Sequence, residues 1–301
     1  MFNLIAQNIN WASVGIVLGI IIGLAVVFSI LILIVTKICK VKEDEKVLKI
    51  LENLAGANCG GCGHSGCEGF ANALAKGECS ISDCNVTSNE AKAVIAKIAG
   101  IPFEANEPTI AVVRCSGGVN AADKFNYLGY EGCTNRMTYH GGNKICATAC
   151  LGGGTCENLC HVHAIKVGPD GIAHVERSLC TSCGTCINHC PKHSIVRIPA
   201  KAKVYVACGT HCKGKETMSF CKVGCIGCGL CAKSCPAGAI TMVDALPVID
   251  YTKCTGCLTC VAKCPRKVIK LTNPADEKNI PVIKKPIPPK PPVQEAKKEE
   301  A

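Results

Sequence analysis

Twenty-seven cysteines in 301 residues dictate the terms on which this chain can fold. A share of about 9% is typical of short, cross-linked chains rather than of a protein this long. Bulky core material is scarce: the sequence holds six Phe, five Tyr and one Trp. With 48% hydrophobic residues it is nevertheless too apolar to be disordered. Small modules held by covalent bridges or by metal are what remains, because apolar burial alone does not stabilise pieces of that size. A single large core is excluded.

The N-terminus decides between bridges and metal. No charged residue occurs from Met1 to Thr36, and Ala12 to Val35 is a near-continuous run of Ile, Leu, Val, Ala and Gly. Twenty-four residues at about 1.5 Å each reach roughly 36 Å, enough to cross a hydrocarbon core of about 30 Å with some tilt. A secretory signal peptide would be shorter, with a positive charge before the apolar run; here the basic flank follows it. Residues 1–36 therefore read as a single-pass transmembrane anchor. Lys37, Lys40 and Lys42 follow the span and no Lys or Arg precedes it, so the positive-inside rule places the N-terminus outside and the remainder in the cytoplasm, at the cell (inner) membrane. A reducing compartment and an odd cysteine total both favour metal ligands over disulfides. The span carries no ionisable residue and so offers no ion path of its own.

Beyond the anchor the chain divides into modules. In residues 37–104, Val47, Leu48, Ile50, Leu51 and Leu54 form the apolar stripe of a helix. Cys59, Cys62, Cys67 and Cys84 follow, then a helix expected to start on a capping box of Thr87 and Glu90 and to stop near Gly100. From residue 105 the sequence repeats. Four segments end alike: Cys160-His161-Val162-His163-Ala164-Ile165, Cys190-Pro191-Lys192-His193-Ser194-Ile195, Cys235-Pro236-Ala237-Gly238-Ala239-Ile240 and Cys264-Pro265-Arg266-Lys267-Val268-Ile269. Their pairing divides the chain into residues 105–200 and 201–273, each opening on a strand-like run that ends in cysteine, Val112 to Cys115 and Val204 to Cys208. Residues 274–301, with seven prolines among Lys and Glu, read as a disordered tail. The fold class expected is α+β: a transmembrane helix, a small helical iron–sulfur domain, and two tandem bacterial-type ferredoxin-like modules, each with two 4Fe-4S clusters.

The spacings carry the chemistry. Cys180-x2-Cys183-x2-Cys186-x3-Cys190-Pro191, Cys225-x2-Cys228-x2-Cys231-x3-Cys235-Pro236 and Cys254-x2-Cys257-x2-Cys260-x3-Cys264-Pro265 place three thiolates round one cubane and turn the fourth to the neighbouring cluster. Zinc ribbons instead separate two cysteine pairs by a long loop. Crossing the ligands gives Cys225, Cys228, Cys231 and Cys264 for one cluster, and Cys254, Cys257, Cys260 and Cys235 for another. In the first module Gly153 stands where Cys228 stands in the second, and the missing ligand is expected from Cys146. The sets are then Cys146, Cys150, Cys156 and Cys190, and Cys180, Cys183, Cys186 and Cys160. Cys59-x2-Cys62-x4-Cys67-x16-Cys84 is a fifth four-thiolate set. Gly61, Gly63 and Gly66 inside it match a dinucleotide fingerprint, but no strand precedes them, so the match is accidental. A sixth cluster is expected on Cys115, Cys133, Cys208 and Cys221, because Cys115 and Cys208 end equivalent strands. Cys39, Cys79 and Cys212 are left without a role.

The formal charge of +10 invites a nucleic-acid reading, but it counts every thiol as neutral. Four thiolates outweigh the charge of one oxidised cubane, and six such sites would bring the chain near neutrality. Residues 180–270 hold 13 Lys or Arg against Glu216, Asp244 and Asp250, a surplus that sits where the clusters are densest. Compensation of cluster charge explains it without nucleic acid.

The uncharged anchor, the Cys59 to Cys84 pattern and the duplicated cysteine pairs together resemble the B subunits of the Rnf complex, an ion-translocating ferredoxin:NAD oxidoreductase. The resemblance reaches from the anchor to about residue 273. It implies a subunit that takes electrons from reduced ferredoxin and passes them to membrane and flavin-bearing partner subunits. Consistent with that, the chain shows no Ser/His/Asp set, no phosphate-binding turn in context and no aromatic-rich flavin pocket, so no catalytic residue is expected on it. The alternatives are a polyferredoxin component of another membrane enzyme, such as a hydrogenase, and a corrinoid-linked iron–sulfur protein. The second would need a large barrel for which no sequence is left.

Overall fold

A computed structural model describes residues 11–38, 44–105 and 107–281; Cys39 and the chain from residue 282 lie outside the described residues. Helix α1, Trp11–Ile38, contains a 24-residue stretch, Val14–Lys37, long and apolar enough to span a bilayer. Its large apolar side chains are exposed all round, which water would not tolerate over such a length. Two hydroxyls are satisfied within the helix: Ser29 Oγ donates to the Ala25 carbonyl at 2.8 Å and Thr36 Oγ1 to the Ile32 carbonyl at 2.9 Å.

Three helices build the next domain: α2 (Glu45–Asn53), α3 (Cys67–Lys76) and α4 (Asn89–Ala99). Its core is Ile50, Phe70, Leu74, Ile81 and Ile95, all essentially buried. The cap of α4 falls one residue later than the sequence pattern suggests. Ser88 Oγ accepts the Ala91 N–H, while Thr87 turns inward, where its hydroxyl accepts the Ala55 N–H and touches the Cys84 sulfur at 3.2 Å. Thr87 is thus used to tie the domain together, and the free hydroxyl of Ser88 caps in its place.

Two modules of one design follow. In the first, the opening strand β1 (Thr109–Val113) pairs antiparallel with the closing strand β4 (Ile195–Pro199), in register Val113 to Ile195. Between them β2 (Ile165–Val167) and β3 (Ala173–Val175) form a hairpin. The second repeats this, with β5 (Val204–Val206) against β8 (Ile269–Leu271) and β6 (Ile240–Val243) against β7 (Leu246–Ile249). The repeated isoleucines Ile165, Ile195, Ile240 and Ile269 each start a strand and are all buried. Each contributes on the order of 1.5–3 kcal/mol by leaving water. Short helices α6 (Thr155–Asn158), α7 (Thr185–Asn188), α9 (Leu230–Lys233) and α10 (Thr259–Lys263) carry the third cysteine of each run. Two further helices, α5 (Cys133–Met137) and α8 (Gly214–Phe220), lie in the segments that precede the first cysteine run of each module.

Pro274–Asn279, expected to belong to the tail, form a 3-10 turn capped by the Asn273 side chain, and Ile280 packs on the core of the second module; the rest of the expected tail lies outside the described residues. A chain lacking residues 1–38 should stay in the soluble fraction after cell lysis with unchanged iron per chain, whereas the full chain should sediment with membranes until detergent is added.

Candidate metal centres

Each of the four repeated segments makes the same turn after its cysteine. His163, His193, Gly238 and Lys267 all have positive φ (51°, 49°, 59° and 51°), in the left-handed region that lets the chain reverse within one turn. In three of the four, the following N–H is thereby aimed at the cysteine sulfur: Ala164 to Cys160 at 3.2 Å, Ala239 to Cys235 at 3.4 Å and Val268 to Cys264 at 3.3 Å. Backbone donors on sulfur are what a thiolate needs when it is withdrawn from water.

The thiols come together across the runs as crossed ligation requires. Cys160 joins Cys180, Cys183 and Cys186 round one void. Cys264 joins Cys225, Cys228 and Cys231 round another. Cys235 lies within electrostatic reach of Cys260, as do Cys254 and Cys257. Among the described residues no three His, Cys, Asp or Glu side chains converge tightly enough for one metal ion. A single zinc would draw its sulfurs to about 2.3 Å from a common centre. A cubane instead takes each thiolate on a separate corner iron, and the wider, void-centred sets fit that group.

In the first module the structure regroups two thiols. Cys133, expected in the sixth set, lies beside Cys150 and Cys156, and Cys190 also lies beside Cys156. Cys146, expected there, lines a different void with Cys115, Cys208 and Cys221. The reason is Gly153. A Cβ at that position would strike the Cys133 N and the Gly132 carbonyl carbon, each at 2.7 Å. The residue that replaces the missing cysteine is therefore small so that the start of α5 can enter. There the Cys133 N–H donates to Thr155 Oγ1 at 2.7 Å, and Arg136 donates to the Leu151 carbonyl at 2.6 Å. Nothing in local spacing could reveal a ligand delivered from 20 residues upstream of Gly153.

The domain of Cys59, Cys62, Cys67 and Cys84 abuts the first module. Thr185 Oγ1 donates to the Cys59 carbonyl at 3.0 Å, and a Cβ on Gly61 would run into the Cys183 carbonyl. The glycine of the accidental fingerprint serves this close approach. Burial pushes the Cys59 thiol up; among smaller influences, the charges of Cys183, Cys84 and Cys62 do the same. Cys79 lies close to Cys62, and Lys92, almost wholly buried on α4, stands beside Cys84. Arg197 donates to the carbonyls of Ser182 and Cys183, so basic side chains sit directly on the thiol-bearing loops.

Desolvation acts on several of the thiols. Burial pushes Cys156, Cys186 and Cys260 up to about 12 and Cys150 and Cys208 up to about 11. Without a metal cation they would be neutral at physiological pH.

Repeated ferredoxin-like modules with thiol sets of this kind, behind an apolar helix, define a membrane-associated iron–sulfur electron carrier. Family models match in three places: an Fe-S cluster domain over residues 54–86, a 4Fe-4S binding domain over 173–196 and a 4Fe-4S dicluster domain over 224–268. The chain is 37% identical to the B subunit of the ion-translocating oxidoreductase complex of Methanosarcina acetivorans, over 84% of its length and 97% of the relative. It is 37% identical to the B subunit of the Na(+)-translocating ferredoxin:NAD(+) oxidoreductase complex of Acetobacterium woodii, over 78% of this chain and 71% of the relative. With the proton-translocating counterpart of Clostridium ljungdahlii the identity is 38%, over 78% and 82%. The chain belongs to the family of Rnf complex B subunits.

Two outcomes test this geometry. Gly61→Val should prise the 44–100 domain from the first module, seen as faster proteolysis between residues 100 and 108. Because thiols raised to about 11–12 must lose their protons to bind iron, protons compete more strongly as pH falls. The visible absorbance of the loaded protein should therefore bleach progressively as the pH is lowered into the acid range and recover its stability as the pH is raised.

Proposed function

We propose that this chain takes single electrons from reduced ferredoxin and relays them to the other subunits of an ion-translocating ferredoxin:NAD oxidoreductase. The observation that carries the reading is the crossed assembly of four thiols round a common void, repeated along a chain of the Rnf B family. Five motif-borne clusters are proposed. They sit on Cys59, Cys62, Cys67 and Cys84; on Cys160, Cys180, Cys183 and Cys186; on Cys133, Cys150, Cys156 and Cys190; on Cys225, Cys228, Cys231 and Cys264; and on Cys235, Cys254, Cys257 and Cys260. When bound, such clusters accept and release one electron at a time, at potentials set by hydrogen bonds to sulfur, local charge and solvent access.

The chain's own residues do the tuning. N–H donors such as those of Ala164, Ala239 and Val268 stabilise negative charge on sulfur, while Arg197 and Lys92 place positive charge beside the same sets. The basic flank of Lys37, Lys40 and Lys42 supports a cytoplasmic position for the clusters, with the N-terminus outside. The lysine and arginine surplus of residues 180–270 supports docking of an acidic ferredoxin. The coupled ion differs between relatives as named, sodium in one and protons in another, which accords with ion transport by partner subunits.

Electron paramagnetic resonance of the anaerobically purified chain, titrated with reduced ferredoxin, tests the proposal. Signals of reduced 4Fe-4S clusters should grow in proportion to ferredoxin added, and the reduction rate should fall several-fold between about 50 and about 500 mM salt. A protein that contains zinc, or whose clusters ferredoxin leaves oxidised, would refute it.

A further inference from the structure

We propose that Cys115, Cys146, Cys208 and Cys221 hold a 4Fe-4S cluster of their own, placed between the two ferredoxin-like modules, and that electrons cross from one module to the other through it. The inference rests on the reading that the motif-borne sets carry clusters. It concerns thiols that none of the matched family segments includes.

These four thiols line one void, as the Cys160 and Cys264 sets each line theirs. Its thiols come from four separate stretches: after β1, before the first cysteine run, after β5, and after α8. Cross-module bonds lock those stretches together. Ser116 Oγ donates to the Ala207 carbonyl at 3.1 Å, the Ala122 N–H to the Phe220 carbonyl at 2.7 Å and the Lys222 N–H to the Asn120 carbonyl at 3.0 Å. Lys144, buried, donates to the carbonyls of Gly118 and Ala121 at 2.9 and 3.0 Å and fixes the loop beside Cys115. Arg266 of the second module donates to the Cys221 carbonyl at 3.0 Å.

The sulfurs are dressed as ligands. The Gly117 N–H donates to Cys115 at 3.3 Å and the Cys225 N–H to Cys208 at 3.4 Å. Thr210 gives Cys208 a second backbone donor, and Val223 and Gly224 both point at Cys221. A Cβ on Gly117 would strike that of Ala121 at 2.9 Å, so the bare glycine lets this turn pack against the Cys115 and Cys221 sulfurs. Unused buried thiols would not require this convergence of backbone donors.

Position gives the site its role. Cys115 lies within electrostatic reach of Cys150 in the first module, and Cys208 of Cys225 in the second. Elsewhere the same kind of proximity joins Cys59 to Cys183 and Cys156 to Cys186. The order is therefore the Cys59 set, the Cys183 set, the Cys150 set, the bridging set, the Cys225 set and the Cys257 set. At each hop one cluster is oxidised as its neighbour is reduced by one electron, and no atom or proton is transferred.

Iron and sulfide counts on the full anaerobic chain test the assignment, with resonance signals of the remaining clusters as the control for folding. Wild type should hold about 24 iron atoms, four per cluster, and Cys208→Ser about 20. The double variant Cys146→Ser/Cys208→Ser should also hold about 20, because both residues serve one cluster. Cys133→Ser/Cys208→Ser should hold about 16, because they serve two, and Cys212→Ser should stay at about 24. A wild-type count near ~20, or a Cys146→Ser/Cys208→Ser count near ~16, would overturn the bridging site while leaving the five motif-borne clusters standing. A chain without any iron–sulfur signal would instead defeat the underlying reading.

Discussion

Withdrawal of thiols from water is the constraint on which this structure turns. A buried cysteine resists ionisation, as Cys156, Cys186 and Cys260 do at about 12. A fold that places such a group among other thiols round one void has no use for it unless a cationic core draws off its proton. Backbone N–H groups aimed at sulfur lower that cost, and the repeated left-handed turn at His163, Gly238 and Lys267 exists to aim them. The short strands and one-turn helices are then a frame for loops, and too small to be stable by apolar burial alone.

The same constraint explains the charge distribution. Basic residues bond directly to the carbonyls of thiol-bearing loops, as Arg197 does at Ser182 and Cys183 and Arg266 at Cys221 and Gly224. A net positive chain is what an envelope for several anionic clusters should look like before they are counted. Docking of an acidic partner would use whatever part of this surplus remains facing solvent.

Duplication gave two modules with equivalent frames, yet they are not equivalent in their ligands. Where the second module has Cys228 the first has Gly153, and the start of α5, with Cys133, occupies the space a side chain there would need. Cys146 faces Cys115, Cys208 and Cys221 between the modules instead.

Whatever depends on spacing within one turn was legible in the sequence. The three C-x2-C-x2-C-x3-C-P runs predict crossed partners, because three ligands on one loop leave the fourth turned away, and Cys160 and Cys264 do lie with the neighbouring runs. The uncharged run before Lys37 specifies a membrane-spanning helix by length and composition, and the four Cys-to-Ile segments locate four strands. Tertiary structure alone decided what arrives from a distance. Gly61 looked like part of a nucleotide loop and proves to be a point of backbone contact with Cys183. Thr87 looked like a cap and is an internal tie. Cys133 and Cys146 exchanged places because their partners lie on loops brought together by strand pairing and inter-module hydrogen bonds. Local pattern records the geometry of a turn; it holds no record of which remote loop will close over it.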